Sequence, residues 1–369
     1  MKKTVFLFCA AAMLGTMTSC HRSTDDSPNV TPVVVDQTRT LIVTTNTAAD
    51  ITYEGKTVSN VKTATFENVA AKGKLKITPR SNDYYDQDAM DIDFYDKLTL
   101  AINVSLAKKP SIQVSQDDAK NGQEITNDAE NQQSTETVVK MTVSNSTVIT
   151  GSAAPFSITT FVPAETVIES TDKGDEVQAN VLVIRSTPDG ATFSEPVQVI
   201  LEIANSAGMD LECVSEANPN EILPMTDLGN DKWLVNIPHF SDWYVYLKAV
   251  VTETAEREEV STGSSAIVAG NNSIPYRVKS GAVQTSSLRC VLVNTFIQKK
   301  FGAYYETTKK ATFTSDASGT ATWRVTQPYK DVTLRSNTKT FTARVYDEPE
   351  FEITATQSGQ GGHSGGSAN

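Results

Sequence analysis

Histidine is scarce in this chain: three occur in 369 residues. His21 and His363 stand near the two ends, which leaves His239 alone in the interior. Zinc sites built on paired histidines are thereby excluded from the interior, and a histidine-based triad would have only His239 to draw on. There is no H-E-x-x-H, no P-loop, no dinucleotide-binding glycine run and no C-x-x-C. Cysteine is almost as rare, with four. Cys9 and Cys20 belong to the N-terminal segment, leaving Cys213 and Cys290, for which a bridge and two buried thiols are both open readings. Basic charge is in deficit: 32 Lys and Arg face 44 Asp and Glu, a formal net charge of -12, which argues against a nucleic-acid partner. Long Leu/Ala/Glu/Lys runs at helical spacing are missing too. Thr, Ser, Val and Asn recur instead, a composition that predicts a mainly β protein. Hydrophobic residues make up 39%, adequate for globular modules and short of a membrane protein.

The N-terminus reads as a processing segment. Lys2 and Lys3 precede the apolar run "VFLFCAAAMLG", which is too short to span a bilayer, and "MTSC" follows. Thr18 and Ser19 directly before Cys20 resemble a bacterial lipoprotein cleavage site, which implies that residues 1–19 are removed and Cys20 is acylated. A diacyl anchor would fix the protein to the membrane at roughly 0.8 kcal/mol per buried CH₂. Residues 20–36 read as a tether. Asp25 and Asp26 resemble the acidic export signal of Bacteroides-type surface lipoproteins, which implies lipid-anchored display at the outer membrane of a Gram-negative bacterium.

Several β-sandwich modules are expected in tandem. In residues 37–108 the run "LTLAINVSLAK" sets Leu98, Leu100, Ile102, Val104 and Leu106 on one face and Thr99, Asn103 and Ser105 on the other. This segment resembles PEGA or transthyretin-like modules. Residues 109–136 are polar and acidic and read as a linker. In residues 137–250, "PDGATFSEPV" and "HFSDWYVYL" resemble the ZU5 and UPA pair of Ig-like sandwiches. Asp189-Gly190 makes a turn, Phe193 plugs a core and Pro196 opens a strand. Residues 251–354 form a C-terminal β-rich module with one short helix in "SSLRCVLVNTFIQKKFG". There Leu288, Val291, Leu292, Thr295 and Phe296 share a face, Ser286 or Ser287 caps, and Gly302 ends the helix. Residues 355–369 read as a disordered Gly/Ser tail.

One tripeptide carries possible chemistry. In some ZU5-containing proteins the H-F-S run is a self-cleavage site, which would place the cut between Phe240 and Ser241 with Ser241 as nucleophile and His239 as base. The plainer reading packs Phe240 and Trp243 inward and lets Ser241 open a strand. Gly362-His363-Ser364-Gly365-Gly366 spells a nucleophile elbow, but no acid or histidine partner follows it. The acidic stretch "DYYDQDAMDIDFYD" suggests calcium less than it does a solvated strand face, because Ile92 and Phe94 alternate with Asp91 and Asp93. No metal or cofactor is implied.

The chain as a whole resembles uncharacterised Bacteroides-type surface lipoproteins, some labelled pore-forming or adhesin-like. Three functions follow as expectations. The first is a non-enzymatic module that binds a protein or glycan. The second is a pore former, for which Ala311, Phe313, Ala321, Trp323 and Val325 would supply the apolar face of a hairpin over 309–326. The third is a self-cleaving protein.

Overall fold

A computed structural model describes residues 34–35, 39–87, 89–94, 97–127, 137–163, 168–170 and 174–357. The signal segment, Cys20 and residues 358–369 lie outside them; residues 355–357, expected in the disordered tail, belong instead to strand Glu350–Gln357, which pairs with Gly319–Ser336. Among the described residues the protein is mainly β, as its composition predicts, with three sheets and two helices.

Strands Arg39–Tyr53, Lys56–Val69, Lys72–Pro79 and Met90–Asp93 form an antiparallel series, and Thr99–Val104 runs parallel to Arg39–Tyr53 along its free edge. The first hairpin turns at Glu54 and Gly55, both at positive φ, as a tight two-residue turn requires. Leu41, Val43, Ile51, Tyr53, Phe66, Leu75, Ile77 and Phe94 fill this core. The expected facing of the last strand needs correction. Thr99 and Ala101 are buried as well as Val104, because the strand is covered on both sides. Ala303 donates to the Ala101 carbonyl, and Lys97 Nζ donates to the Phe301 carbonyl at 2.6 Å.

A six-stranded sheet and part of a twelve-stranded sheet then pack face to face. The first contributes Val139, Met141, Val199, Leu201, Trp233, Val235 and Ile237; the second contributes Ile158, Leu182, Ile184, Trp243, Val245 and Leu247. Pro196 lies inside strand Thr192–Ile203, within a break in register between Thr192 and Val197, rather than at the strand's start. A proline is tolerated there because the ladder is already interrupted.

The expected boundary at residue 250 is not a boundary. A single strand runs from Asp242 to Ile267. Its first part belongs to the sandwich, and its far part pairs with Gly319–Ser336 as one face of a projecting finger. Hairpin Gly270–Gln284 with Tyr305–Ser315 supplies the other face. Between them lie Ile267, Ile274, Tyr276, Val278, Ala311, Phe313, Ala321, Val325 and Ala355. Residues 252–257 are exposed throughout, since they bridge the sandwich core and the finger core. That gap in alternation made the sequence look like a module junction. Val34 and Val35, expected in the tether, pair along the finger's edge with Thr312 and Ala311.

The expected helix forms at Val291–Phe301 and ends at Gly302 with φ +80°. Cys290 occupies its N-cap position without a side-chain cap, and neither Ser286 nor Ser287 caps it. Leu288 lies before the helix and is exposed, while Leu292, Val293, Thr295, Phe296 and Ile297 are buried. The segment expected as linker also has structure. Ser115 caps a short helix, Gln116–Lys120, and accepts from the Asp118 amide at 3.1 Å. Ile125 pairs with Met141, and Asn127 accepts from the Val139 amide at 3.1 Å. Three widely spaced apolar residues, Val114, Ala119 and Ile125, are enough to peg this loop to the core. Polar composition hid them.

Candidate functional site

The strand "DWYVYL" explains how a cleft arises. Side chains alternate across a strand, so Trp243, Val245 and Leu247 enter the sandwich core while Asp242, Tyr244 and Tyr246 point to the other face of the sheet. On that face Arg185 lies opposite Asp242, and Asn180 lies opposite Tyr246. The first module covers part of the same face. Its segment at Tyr84 and Tyr85 is pinned to the strand end at Ala107 and Lys108, with the Tyr85 amide 2.8 Å from the Ala107 carbonyl. A cleft of about 580 Å³ remains between the two. Tyr85, Gln87, Phe161, Arg185, Tyr244 and Tyr246 are among the residues lining it. Its volume and its mix of aromatic and convergent polar groups are those of small-molecule sites.

Arg185 is the fixed point of this cleft. Its guanidinium lies 4.9 Å from the Tyr85 ring centroid and 4.8 Å from that of Phe161. Its Nε donates to the Asp242 carboxylate at 2.9 and 3.0 Å, and Nη2 donates to the same group. The bond to Asp242 pushes the Arg185 pKa up further. Burial, with help from the Glu216 and Asp242 charges, pushes the Tyr244 hydroxyl up to about 12. Tyr246 is raised by burial and by Glu169 and Glu212, and Tyr85 by burial against an opposing pull from Arg185. The cleft therefore presents neutral phenols near neutral pH.

His239, Phe240 and Ser241 meet a different set of partners. Phe240 is fully buried, edge to face with Phe156 and Phe193 at 4.9 Å each. The Gly190 amide donates to the Phe240 carbonyl at 3.0 Å, so the "PDG" turn rests directly on the tripeptide. His239 Nε2 lies 3.0 Å from Glu221 Oε2, and its ring stacks on Trp243. No hydrogen bond joins His239 to Ser241 among the described residues, and neither Phe240 nor Ser241 has a positive φ. The base, the nucleophile and a left-handed strained backbone are not assembled here.

Other sequence candidates are also placed. Lys72 pairs with Asp93 at 2.7 Å and Lys74 with Asp91 at 3.2 Å, as expected for a solvated strand face; Asp88 and Asp96 lie outside the described residues. Among the described residues no cluster of three or more His, Cys, Asp or Glu could hold a metal ion. Cys213 and Cys290 are both buried free thiols. The hairpin expected over 309–326 is not one: Tyr305–Ser315 pairs with Gly270–Gln284 and Gly319–Ser336 with Asp242–Ile267, on opposite faces of the finger, and the apolar side chains meet between them, with Ala311, Phe313, Ala321 and Val325 buried and Trp323 half-buried. The sequence reading touched the cleft through Asp86, within the acidic stretch, and assigned no site to Arg185, Tyr244 or Tyr246. The signal was present in "DWYVYL": two tyrosines on the face turned away from the sandwich core mark a face that is more than solvated surface.

No family model matches this chain, and no curated protein does. A solved structure from Bacteroides fragilis NCTC 9343, a protein of unknown function whose description suggests association with a membrane, aligns with 86% of this chain and 98% of its own length at 9% identity and a TM-score of 0.24. Among the described residues no helix is long and apolar enough to cross a membrane.

Proposed function

We propose that this protein is a cell-envelope lipoprotein that binds an external ligand, protein or glycan, without catalysing a reaction, and that the cleft around Arg185 is its binding site. In this reading Cys20 carries the lipid, the outer membrane of a Gram-negative cell is its address, and the folded part faces outward. The observation that carries the proposal is the cleft's construction: a pre-fixed guanidinium and three half-buried tyrosines converge on one open space. Rigid aromatic side chains with polar tips are well suited to recognition because little freedom is lost on binding. The contact between the "PDG" turn and the H-F-S run supports keeping the ZU5- and UPA-like reading of 137–250 within this proposal, beside the PEGA- or transthyretin-like reading of 37–108.

The test has two parts. Radiolabelled palmitate should attach to the wild type and not to Cys20→Ser. A soluble form starting at residue 21 should bind members of host-glycoprotein or polysaccharide arrays, and loss of that binding in Tyr246→Ala would locate it in the cleft. Silence on both arrays would sink the binding role. The pore reading is weaker because the two legs of the expected hairpin pair with other strands and their apolar side chains are already covered; dye release from liposomes by the purified protein would revive it.

A further inference from the structure

Arg185, the basic group of the cleft, is already spent. An incoming carboxylate or sulfate would look for the Arg185 fork, but Asp242 already occupies it through both Nε and Nη2. Arg185 itself lies against the rings of Tyr85 and Phe161, which leaves Tyr244 and Tyr246 as the uncovered aromatic surface of the cleft. The remaining charges, Asp86 and Glu216, repel anions and accept hydrogen bonds from hydroxyls. Lys109 sits 5.8 Å from the Tyr85 ring and is not among the lining residues.

Beside these carboxylates stand aromatic rings. Tyr244 and Tyr246 stand two residues apart on one strand face, so their rings rise side by side at a spacing of about 7 Å. Each is half-buried. Gln87 adds an amide on the same walls. Apolar ring faces flanked by an amide, phenols and carboxylates match the C–H faces and hydroxyl edges of a pyranose.

We propose that the cleft takes a neutral oligosaccharide, with its sugar rings on Tyr244 and Tyr246 and its hydroxyls on Gln87, Asp86 and Glu216. This assignment rests on the cleft being the binding site and goes further by fixing the ligand's chemical class. Binding of such a ligand is insensitive to salt, because no ion pair forms or breaks.

The experiment uses the soluble chain from residue 21, which keeps every described residue, against three probe sets: neutral hexose and N-acetylhexosamine oligosaccharides, uronic-acid or sulfated glycans, and Lys/Arg-rich peptides. Hits are titrated calorimetrically at low and high salt with the wild type, Tyr244→Ala and Tyr246→Ala. Thermal unfolding confirms that each variant is folded, and Tyr244→Leu or Tyr246→Leu, which keep apolar bulk and remove the ring, serve where an alanine variant is not. The expected result is binding of neutral glycans, unchanged by salt and weakened at least about tenfold by loss of either ring, equivalent to roughly 1.4 kcal/mol. Preference for acidic glycans or basic peptides, lost in the same variants, would overturn the ligand class while leaving the cleft as the binding site. Neutral-glycan binding untouched by the variants would overturn the site. Absence of binding to all three sets would overturn the assignment along with the reading beneath it.

Discussion

Asp242 lies directly across the strand pair from Arg185 and accepts its Nε at 2.9 Å, while the guanidinium is flanked by one ring from each of two modules. The pair is half-buried, with side-chain exposures of 30% for Arg185 and 13% for Asp242, so the interaction is screened far less than a surface pair. Asp242→Asn keeps the shape and removes the charge. It should cost about 1.5–3 kcal/mol, the usual worth of a hydrogen bond to a charged group. A lower calorimetric Tm for the variant checks this, and an unchanged Tm would show that the pair is neutral to stability.

Alkaline pH should destabilise the fold through Tyr244. Its hydroxyl titrates at about 12 in the folded chain against 10.0 when unperturbed. Between those values the unfolded chain has lost a proton that the folded chain keeps, so stability falls as pH rises from about 10 to about 12. Tyr244→Phe removes this contribution. Denaturant unfolding of both proteins across that range should show a shallower decline for the variant, and parallel curves would refute the assignment.

The chain should stay whole at Phe240–Ser241. His239 is engaged by Glu221, and the residues around the bond adopt no left-handed conformation. Intact-mass measurement after denaturation should give one species spanning the bond; a fragment beginning at Ser241 would show that the tripeptide cuts.

Phe240 is there for packing. Its ring touches those of Phe156 and Phe193 and is fully buried. Phe240→Ala should lose about 3–5 kcal/mol. Chemical denaturation measures it, and a loss under about 1 kcal/mol would mean that the cavity collapses freely.

Both thiols should resist reagents until the protein unfolds. Cys213 is fully buried and desolvation pushes its pKa up, which suppresses the thiolate. Thiol titration of the soluble form should find Cys213 and Cys290 silent in buffer and reactive in denaturant.

Legibility followed burial. Where one face of a strand meets a core, the sequence alternates, and "DWYVYL" was readable as a strand from Trp243, Val245 and Leu247 alone. Phe193 as a core plug and the Gly190 turn were also visible, because a turn glycine and an isolated aromatic leave local marks. Thr99 was expected on the open face and is buried, because the cover of this strand comes from residues about two hundred positions away, such as Ala303 on the Ala101 carbonyl. The cleft was illegible for a similar reason. Tyr85 and Arg185 are brought together only by the docking of two modules, and no local pattern encodes that meeting.

The strand from Asp242 to Ile267 has a contour of about 85 Å, with the cleft at its beginning and the finger's end at its close. Adding one residue between Thr252 and Arg257 would turn the finger's inward side chains outward, since facing inverts at every step along a strand. The reach of this protein can thus change only by whole pleats of about 7 Å, inserted in matched number into the strand and its neighbour Gly319–Ser336. Reach is quantised here by the geometry of the peptide chain.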